Sequence, residues 1–474
     1  MGANFEPIGL TPIDHITAKV YLPYMLYFSS NDSSTSIQTV RRGISKLITE
    51  IPWLAGDVVI HHEPETRAYI HPPLTAPHQV PVLTVRHFDN DEDFRTHPTA
   101  EYLPVPLFVP VSEQRPVLRF QINIFPTKVA LMMSFMHMAF DGSGAGTVLQ
   151  ALSECCRAAS AESHGELIPT PITDGLAQTA TTLRNEVSAW PSKCETRLDH
   201  SLELSPPAFD SNFSIEQWGA VESALSSMSS THRLTFSAEK VVQLKATCAK
   251  LLPRLGQPFD PEAVAFSSND IITAALGITL DRVVHAERDK QSNPTHMFMV
   301  ADMRRRISPP LPETYLGNMI YPLWSPIHCA PATDTNGDSN DNKVIDPDLH
   351  HLTHLASHLR SKVMGDVNET LAYSCSAAVA SDGNWFQAEG KPADVVMTSW
   401  RHLKVFALDF GPALGYIEDF ESGFVMMPGA CIMMPARTRD VSQRQAVDWE
   451  VSVTVRPGDY EGLVGDGLLR RILV

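Results

Sequence analysis

One stretch limits what this chain can become: residues 129 to 146, reading VALMMSFMHMAFDGSGAG. The eight residues before His137 carry one polar side chain, Ser134, which suits a strand covered on both faces. Gly142, Gly144 and Gly146 then permit a sharp turn. Beyond it Val148, Leu149, Leu152, Cys155 and Cys156 fall at helical spacing. His137 and Asp141 therefore sit between a strand end and a helix start, where a rigid scaffold can aim side chains into a cleft.

An imidazole titrates nearest neutrality, so it can take a proton from an alcohol or amine as that group attacks a carbonyl. A carboxylate four residues on, across a tight turn, either holds the imidazole or braces the loop. Spacing alone leaves both open. An isolated H-x-x-x-D is common enough by accident that it needs support from the rest of the chain.

That support comes from motifs in order along the sequence. H-M-A-F-D-G-S-G from His137 resembles the H-x-x-x-D-G signature of the BAHD acyl-CoA transferases, shared in part by chloramphenicol acetyltransferases and peptide-synthetase condensation domains. Leu10 to Asp14 (LTPID) is similar to that family's opening motif, and Pro52 to Gly56 (PWLAG) to its P-x-L-A-G. Ser268 to Ala275, Asp302 to Arg306, Pro309 to Pro312 and Tyr315 to Asn318 resemble further family segments, as do Thr398-Ser399-Trp400 and Asp409-Phe410-Gly411. Pro412 to Gly415 (PALG) replaces the family's W-G, so the role of that Trp does not transfer. The opening motif and altered tail look most like the fungal, trichothecene-acetyltransferase-like branch.

The resemblance implies an α/β, two-domain fold of chloramphenicol-acetyltransferase type, each domain a mixed sheet with helices, with the active site in a channel between them. Residues 1–185 are expected to form the N-terminal domain carrying the histidine motif, 186–232 a crossover, and 233–474 the C-terminal domain carrying Asp409-Phe410-Gly411. The catalytic set it implies is His137, Asp141 and Asp409, the two aspartates mainly structural and the Asp409 loop away from the reacting atoms, with Arg304 and Asn318 as a clamp that fixes the motif aspartates from the second domain. Acyl-CoA, most simply acetyl-CoA, is implied as co-substrate, a hydroxylated secondary metabolite as acceptor, and no metal or tightly bound cofactor. Thr398 and Ser399 are candidates to bond the pantetheine arm or the oxyanion, although Thr is also simply a good strand residue. Lys245, with Lys240, Lys250 and Arg254, could meet CoA phosphates or form an ordinary solvated face.

Two other functions stay open on sequence. Condensation-type enzymes use carrier-bound thioesters, but they carry a second histidine where Met136 stands. A non-acylating binder or cyclisation catalyst would fit the altered Pro412 to Gly415 segment. His350, His354 and His358 recur at helical spacing, yet without the Glu of a zinc-binding H-E-x-x-H.

Composition excludes broader classes. Lys+Arg 37 against Asp+Glu 54 gives a net charge of −17, which repels phosphate backbones and anionic lipid. A CoA enzyme with this balance must gather a local basic patch. No apolar run approaches the roughly 20 residues that span a bilayer. The Cys count of 7, without C-x-x-C, fits reduced thiols. A cytoplasmic monomer, binding neither nucleic acid nor membrane, is expected.

Periodicity supplies the elements. Strands are expected at 20–28, 117–125, 234–236, 296–301, 395–400, 405–410, 423–427, 430–434 and 449–455, with a hairpin over 57–70. Helices are expected from Ser36, Ser237, Ser268 and Asp346. Residues 162–228 lose periodicity and read as an irregular crossover, and 331–342 as a solvated loop.

Overall fold

The strand anticipated ahead of His137 forms over Val129–Met136 and is buried along its whole length. It is flanked on both sides. Tyr21–Phe28 and Leu118–Ile124 both pair with it antiparallel, the latter as expected. Leu83–His87 joins Leu118–Ile124 in parallel and Asp419–Glu421 joins Tyr21–Phe28 antiparallel, completing a five-stranded sheet. The computed structural model describes residues 5–29, 32–73, 80–91, 100–162, 165–166, 168–170, 175–194, 204–205, 213–255, 266–284, 294–327, 346–381, 383–387, 389–390, 393–423 and 426–474.

Both faces of the histidine strand are covered, which explains its apolar run. Leu131, Met133 and Phe135 pack with Val148, Leu149 and Leu152 of the helix Gly142–Glu162 and with Val40, Ile44 and Leu47 of the helix Ser33–Glu50. Ala130 and Met132 pack on the other face against Met25, Tyr102 and Phe125. The two helices cross where Gly43 meets Cys156: a Cβ at Gly43 would lie 2.3 Å from Cys156 Sγ, so the contact needs glycine.

The second sheet has six strands in the order Ile320–Pro326, His296–Asp302, Val395–Ser399, Ala430–Met433, Trp449–Val455 and Ser230–Phe236. Its two central joins are parallel and the rest antiparallel. Val241, Leu244 and Cys248, Ile272, Leu276 and Leu280, and Leu352, Leu355 and Leu359 bury three helical stripes in its core. Ser237 caps its helix by accepting from Lys240 N, and Asp346 caps the next by accepting from Asp348 N with Pro347 at the first turn. The cap expected at Ser268 lies one residue earlier: Ser267 Oγ accepts from Asp270 N while Asp270 Oδ2 accepts from Ser267 N.

The fold is α/β with two mixed sheets and helices, as the motifs implied. Its chain division is less simple than expected at 185 and 233. Asp419–Glu421 lies in the first sheet, and Trp400, Phe406, Phe410 and Phe420 are buried in the first core. In return Ile13 and Ile16 from the N-terminus pack in the second. Residues 405–410 do not form the expected strand; Val405–Ala407 is a short 3-10 turn, apolar because Val405, Phe406 and Phe410 plug the first core. The expected crossover contains the helices Leu176–Ser188 and Ile215–Met228. The tract 331–342 lies outside the described residues.

Candidate active site

The turn after Met136 is held by groups far away in sequence. His137 N–H donates to Val20 O at 2.9 Å, anchoring the turn's start to the neighbouring strand. The carbonyls that follow would be stranded in a buried turn without donors. Asn318 Nδ2 donates to His137 O (2.8 Å) and Met138 O (3.1 Å), and Arg184 Nη2 donates to Ala139 O.

Asp141 closes the turn. Its carboxylate receives Arg304 Nη1 on Oδ2 and Arg304 Nη2 on Oδ1, each at 2.9 Å, with Gly144 N–H at 2.9 Å and Met319 N–H at 3.0 Å. Arg304 also donates to Gly317 O at 2.9 Å and Tyr315 O at 3.2 Å. Burial alone would raise the Asp141 pKa, but the adjacent Arg304 guanidinium and these N–H donors hold it below the usual carboxylate range. Spacing left the role of Asp141 open; the geometry makes it a brace.

A second buried aspartate repeats the pattern. Asp14 accepts from Thr11 N at 2.8 Å, Thr11 Oγ1 at 2.9 Å, Asn318 N at 2.8 Å, Asn318 Nδ2 at 3.0 Å and Arg184 Nη1 at 2.8 Å. Consecutive amides of one loop, Asn318 and Met319, thus reach two aspartates from the other half of the fold. Arg184 was not among the sequence candidates. It stands in a segment read as irregular, and its partner lies 170 residues away.

The ring these groups present is half-buried, with Nδ1 shielded from solvent. Burial lowers the His137 pKa, outweighing the Asp141 charge and the nearby carbonyls of His137 and Phe140, which favour the protonated ring. The imidazole is therefore neutral at neutral pH, as a base must be.

Thr398 and Ser399 end a central strand of the second sheet and remain half-buried. The next residue, Trp400, packs on Tyr24 with ring centroids 5.0 Å apart and stands against Gly142, where a Cβ would meet Trp400 Nε1 at 3.0 Å. This contact brings the carboxyl end of that strand to the histidine turn, a usual place for ligands in α/β folds. Ser143 Oγ makes a further link across the seam, to His402 Nε2 at 2.9 Å and Asp302 Oδ2 at 3.4 Å.

Two candidates lie elsewhere. Arg304 takes Asp141 and not Asp409, whose Oδ1 instead accepts from Gly411 N at 2.9 Å. Gly411 abuts Arg157, fifteen residues into the helix that starts at Gly142, so the loop is roughly 22 Å along that axis from the turn. Asp409 is a turn residue: Gly411 (φ +89°) and Gly415 (φ +69°) complete a tight left-handed bend that favours glycine. Lys245 sits in the helix layer, where its charge acts on Asp270. Among the described residues, no group of three or more His, Cys, Asp or Glu could hold a metal ion.

A model of the Transferase family matches residues 176–453, more than half of the chain. The chain belongs to this family. These are the BAHD transferases that its motifs resemble. The fumigaclavine B O-acetyltransferase of Aspergillus fumigatus is 28% identical over 504 residues, covering 98% of this chain and 97% of that protein. The communesin N16 acyltransferase of Penicillium expansum is 29% identical over 481 residues, with the same coverage of 98% and 97%. Among solved structures, F. sporotrichioides TRI101 complexed with coenzyme A and T-2 superposes with a TM-score of 0.70 at 18% identity, covering 99% of both chains. Vinorine synthase follows at 0.58 and 16% identity, covering 99% of this chain and 94% of that one. The fold of these structures is therefore shared along 99% of this chain.

Proposed function

We propose that this Transferase-family protein is an acyl-CoA-dependent O-acyltransferase, using acetyl-CoA to acetylate a hydroxyl of a fungal secondary metabolite, with His137 as general base. The carrying observation is the immobilised turn: every carbonyl from His137 to Ala139 has a donor, while the imidazole keeps exposed surface and a lowered pKa. His137 removes the proton of the acceptor hydroxyl as its oxygen attacks the thioester carbonyl. The tetrahedral intermediate then breaks its C–S bond, and the imidazolium returns the proton to the departing CoA sulfur. Such a base supplies about 10²–10⁴-fold of rate. Thr398 and Ser399, half-buried at the carboxyl end of their strand, bond the donor or the oxyanion in this reading.

The relatives support the acetyl donor and the class of acceptor, since they include fumigaclavine B O-acetyltransferases and further fungal O-acetyltransferases. A cytoplasmic monomer acting on small molecules, without nucleic acid or membrane, fits the net charge of −17. No described helix is long and apolar enough to cross a membrane.

The test is to incubate the purified protein with acetyl-CoA and a panel of hydroxylated fungal alkaloids and terpenoids, following CoA thiol release and the acceptor's mass. Acceptor-dependent thiol release with gain of one acetyl group is expected. Transfer only from a carrier-bound acyl group, or no transfer and no CoA binding, would contradict it.

A further inference from the structure

Buried arginines in this fold are paired, with one exception among the described residues. Arg119, Arg184, Arg304 and Arg401 all give N–H groups to carbonyl or carboxylate oxygens. Arg115 is 3% exposed, yet its guanidinium makes no hydrogen bond or ion pair with a described residue. Its Nε is sealed from solvent, while Nη1 and Nη2 keep some exposed surface, so the outer fork faces open space. The neighbouring carboxylate is occupied: Asp57, bridged to Pro116, accepts from Gln114 Nε2 at 2.9 Å and from Arg119 Nη2 at 3.4 Å. An unpaired buried charge costs stability, and a ligand that brings the counter-charge offsets that cost.

Arg115 stands at the end of the first sheet that carries the histidine turn. Val117 O accepts from Met136 N–H and Val20 O from His137 N–H, each at 2.9 Å, so the segments entering Leu118–Ile124 and Tyr21–Phe28 both run beside the turn. Arg115 belongs to the first segment and Lys19 to the second. Both cations lie over the ring of buried Phe386, Arg115 Cζ at 5.5 Å and Lys19 Nζ at 5.8 Å from its centroid. A planar donor pair, a second positive charge and an apolar ring together suit a carboxylate on a carbon skeleton. The phosphates of CoA suit this place poorly, because the pantetheine arm holds them away from the thioester and hence from His137.

We propose that Arg115 is a specificity-determining residue that takes a carboxylate of the acceptor on Nη1 and Nη2, so that the acceptor is a hydroxy acid rather than a neutral alcohol. Lys19 adds to the positive field, and His137 acts on the hydroxyl of the same molecule. The inference rests on the acyltransferase reading and names its acceptor class.

The test sets hydroxylated terpenoid and alkaloid acids against their methyl esters, with wild type and Arg115→Met. With acetyl-CoA, wild type is expected to favour an acid over its ester by about 10-fold or more in kcat/KM, mostly through KM, and Arg115→Met to lose that preference. Equal use of acid and ester by wild type would overturn the proposal and leave the transferase standing. Calorimetry of acid binding without acetyl-CoA separates the converse case: binding abolished in Arg115→Met, in a protein that transfers nothing, would keep the carboxylate site and remove the transferase reading. CoA affinity should be the same in both proteins; a loss of about 10-fold or more in the variant would assign the fork to CoA and overturn the proposal. Because the guanidinium is unpaired, Arg115→Met should unfold at a urea midpoint no lower than that of wild type. A clear fall in that midpoint would make Arg115 a structural residue and also overturn the proposal.

Discussion

Arg304 grips both carboxylate oxygens of Asp141, Nη1 to Oδ2 and Nη2 to Oδ1, each at 2.9 Å. Arg304 comes from the second sheet's side of the seam and Asp141 from the histidine turn, so one ion pair joins the halves where the chemistry is proposed. Both side chains are almost fully buried, at 2% and 1% exposure. A pair so buried adds little net stability when intact but is costly to break, because the survivor is left charged and unpaired.

Arg304→Met is therefore expected to lower unfolding stability by roughly 3–5 kcal/mol, measured by urea denaturation. Asp141→Asn should cost less, since Arg304 keeps Asp302 Oδ2 as an anionic partner at 3.3 Å and the remaining side-chain oxygen can still accept from one of the two amides, Gly144 or Met319. An Arg304→Met variant as stable as wild type would mean that the pair does not hold the turn.

The same pair sets a pH dependence. The Asp141 pKa is held below the usual carboxylate range in the folded protein, against about 3.9 unfolded. Its contribution to stability is complete above the unfolded value and is lost as pH falls through the lower, folded one. The stability advantage of wild type over Asp141→Asn should thus shrink below about pH 4, as read from denaturation curves at pH 7 and at acid pH. An advantage that grew on acidification would reverse the sign.

Much of this was legible in the sequence where a local rule acts. The strand at Val129–Met136 announced itself because two covered faces demand an unbroken apolar run, and the turn because of its glycines. The Arg304 clamp came from the resemblance. Arg184 stayed invisible because its role is defined by Asp14 and Ala139, neither near it in sequence. Which of Asp141 and Asp409 meets Arg304 stayed open for the converse reason: an aspartate in a motif does not say which donor it meets. The segment 405–410 read as a strand because plug residues and strand residues are apolar alike.

Asp409→Ala tests whether that aspartate serves only its own loop. Its carboxylate serves Gly411 N–H in a loop far from His137, so the loss should cost about 1 kcal/mol of stability. Turnover per folded molecule should stay within a few-fold of wild type. A fall comparable to that of His137→Ala would return Asp409 to the catalytic set.

The lowered His137 pKa bears on rate. The base works only when neutral, so kcat/KM should rise through an acid limb below the ordinary histidine value of about 6.5 and stay level through neutrality. A rate profile gives the limb directly. An acid limb above pH 7 would mean that the ring is held in its charged form.

His137→Ala, assayed for acetyl transfer to an accepted alcohol alongside calorimetric binding of CoA, bears most directly on the central claim. The variant should fold and bind CoA as wild type does while transfer falls by about 10²-fold or more. Full transfer by that variant would contradict the account.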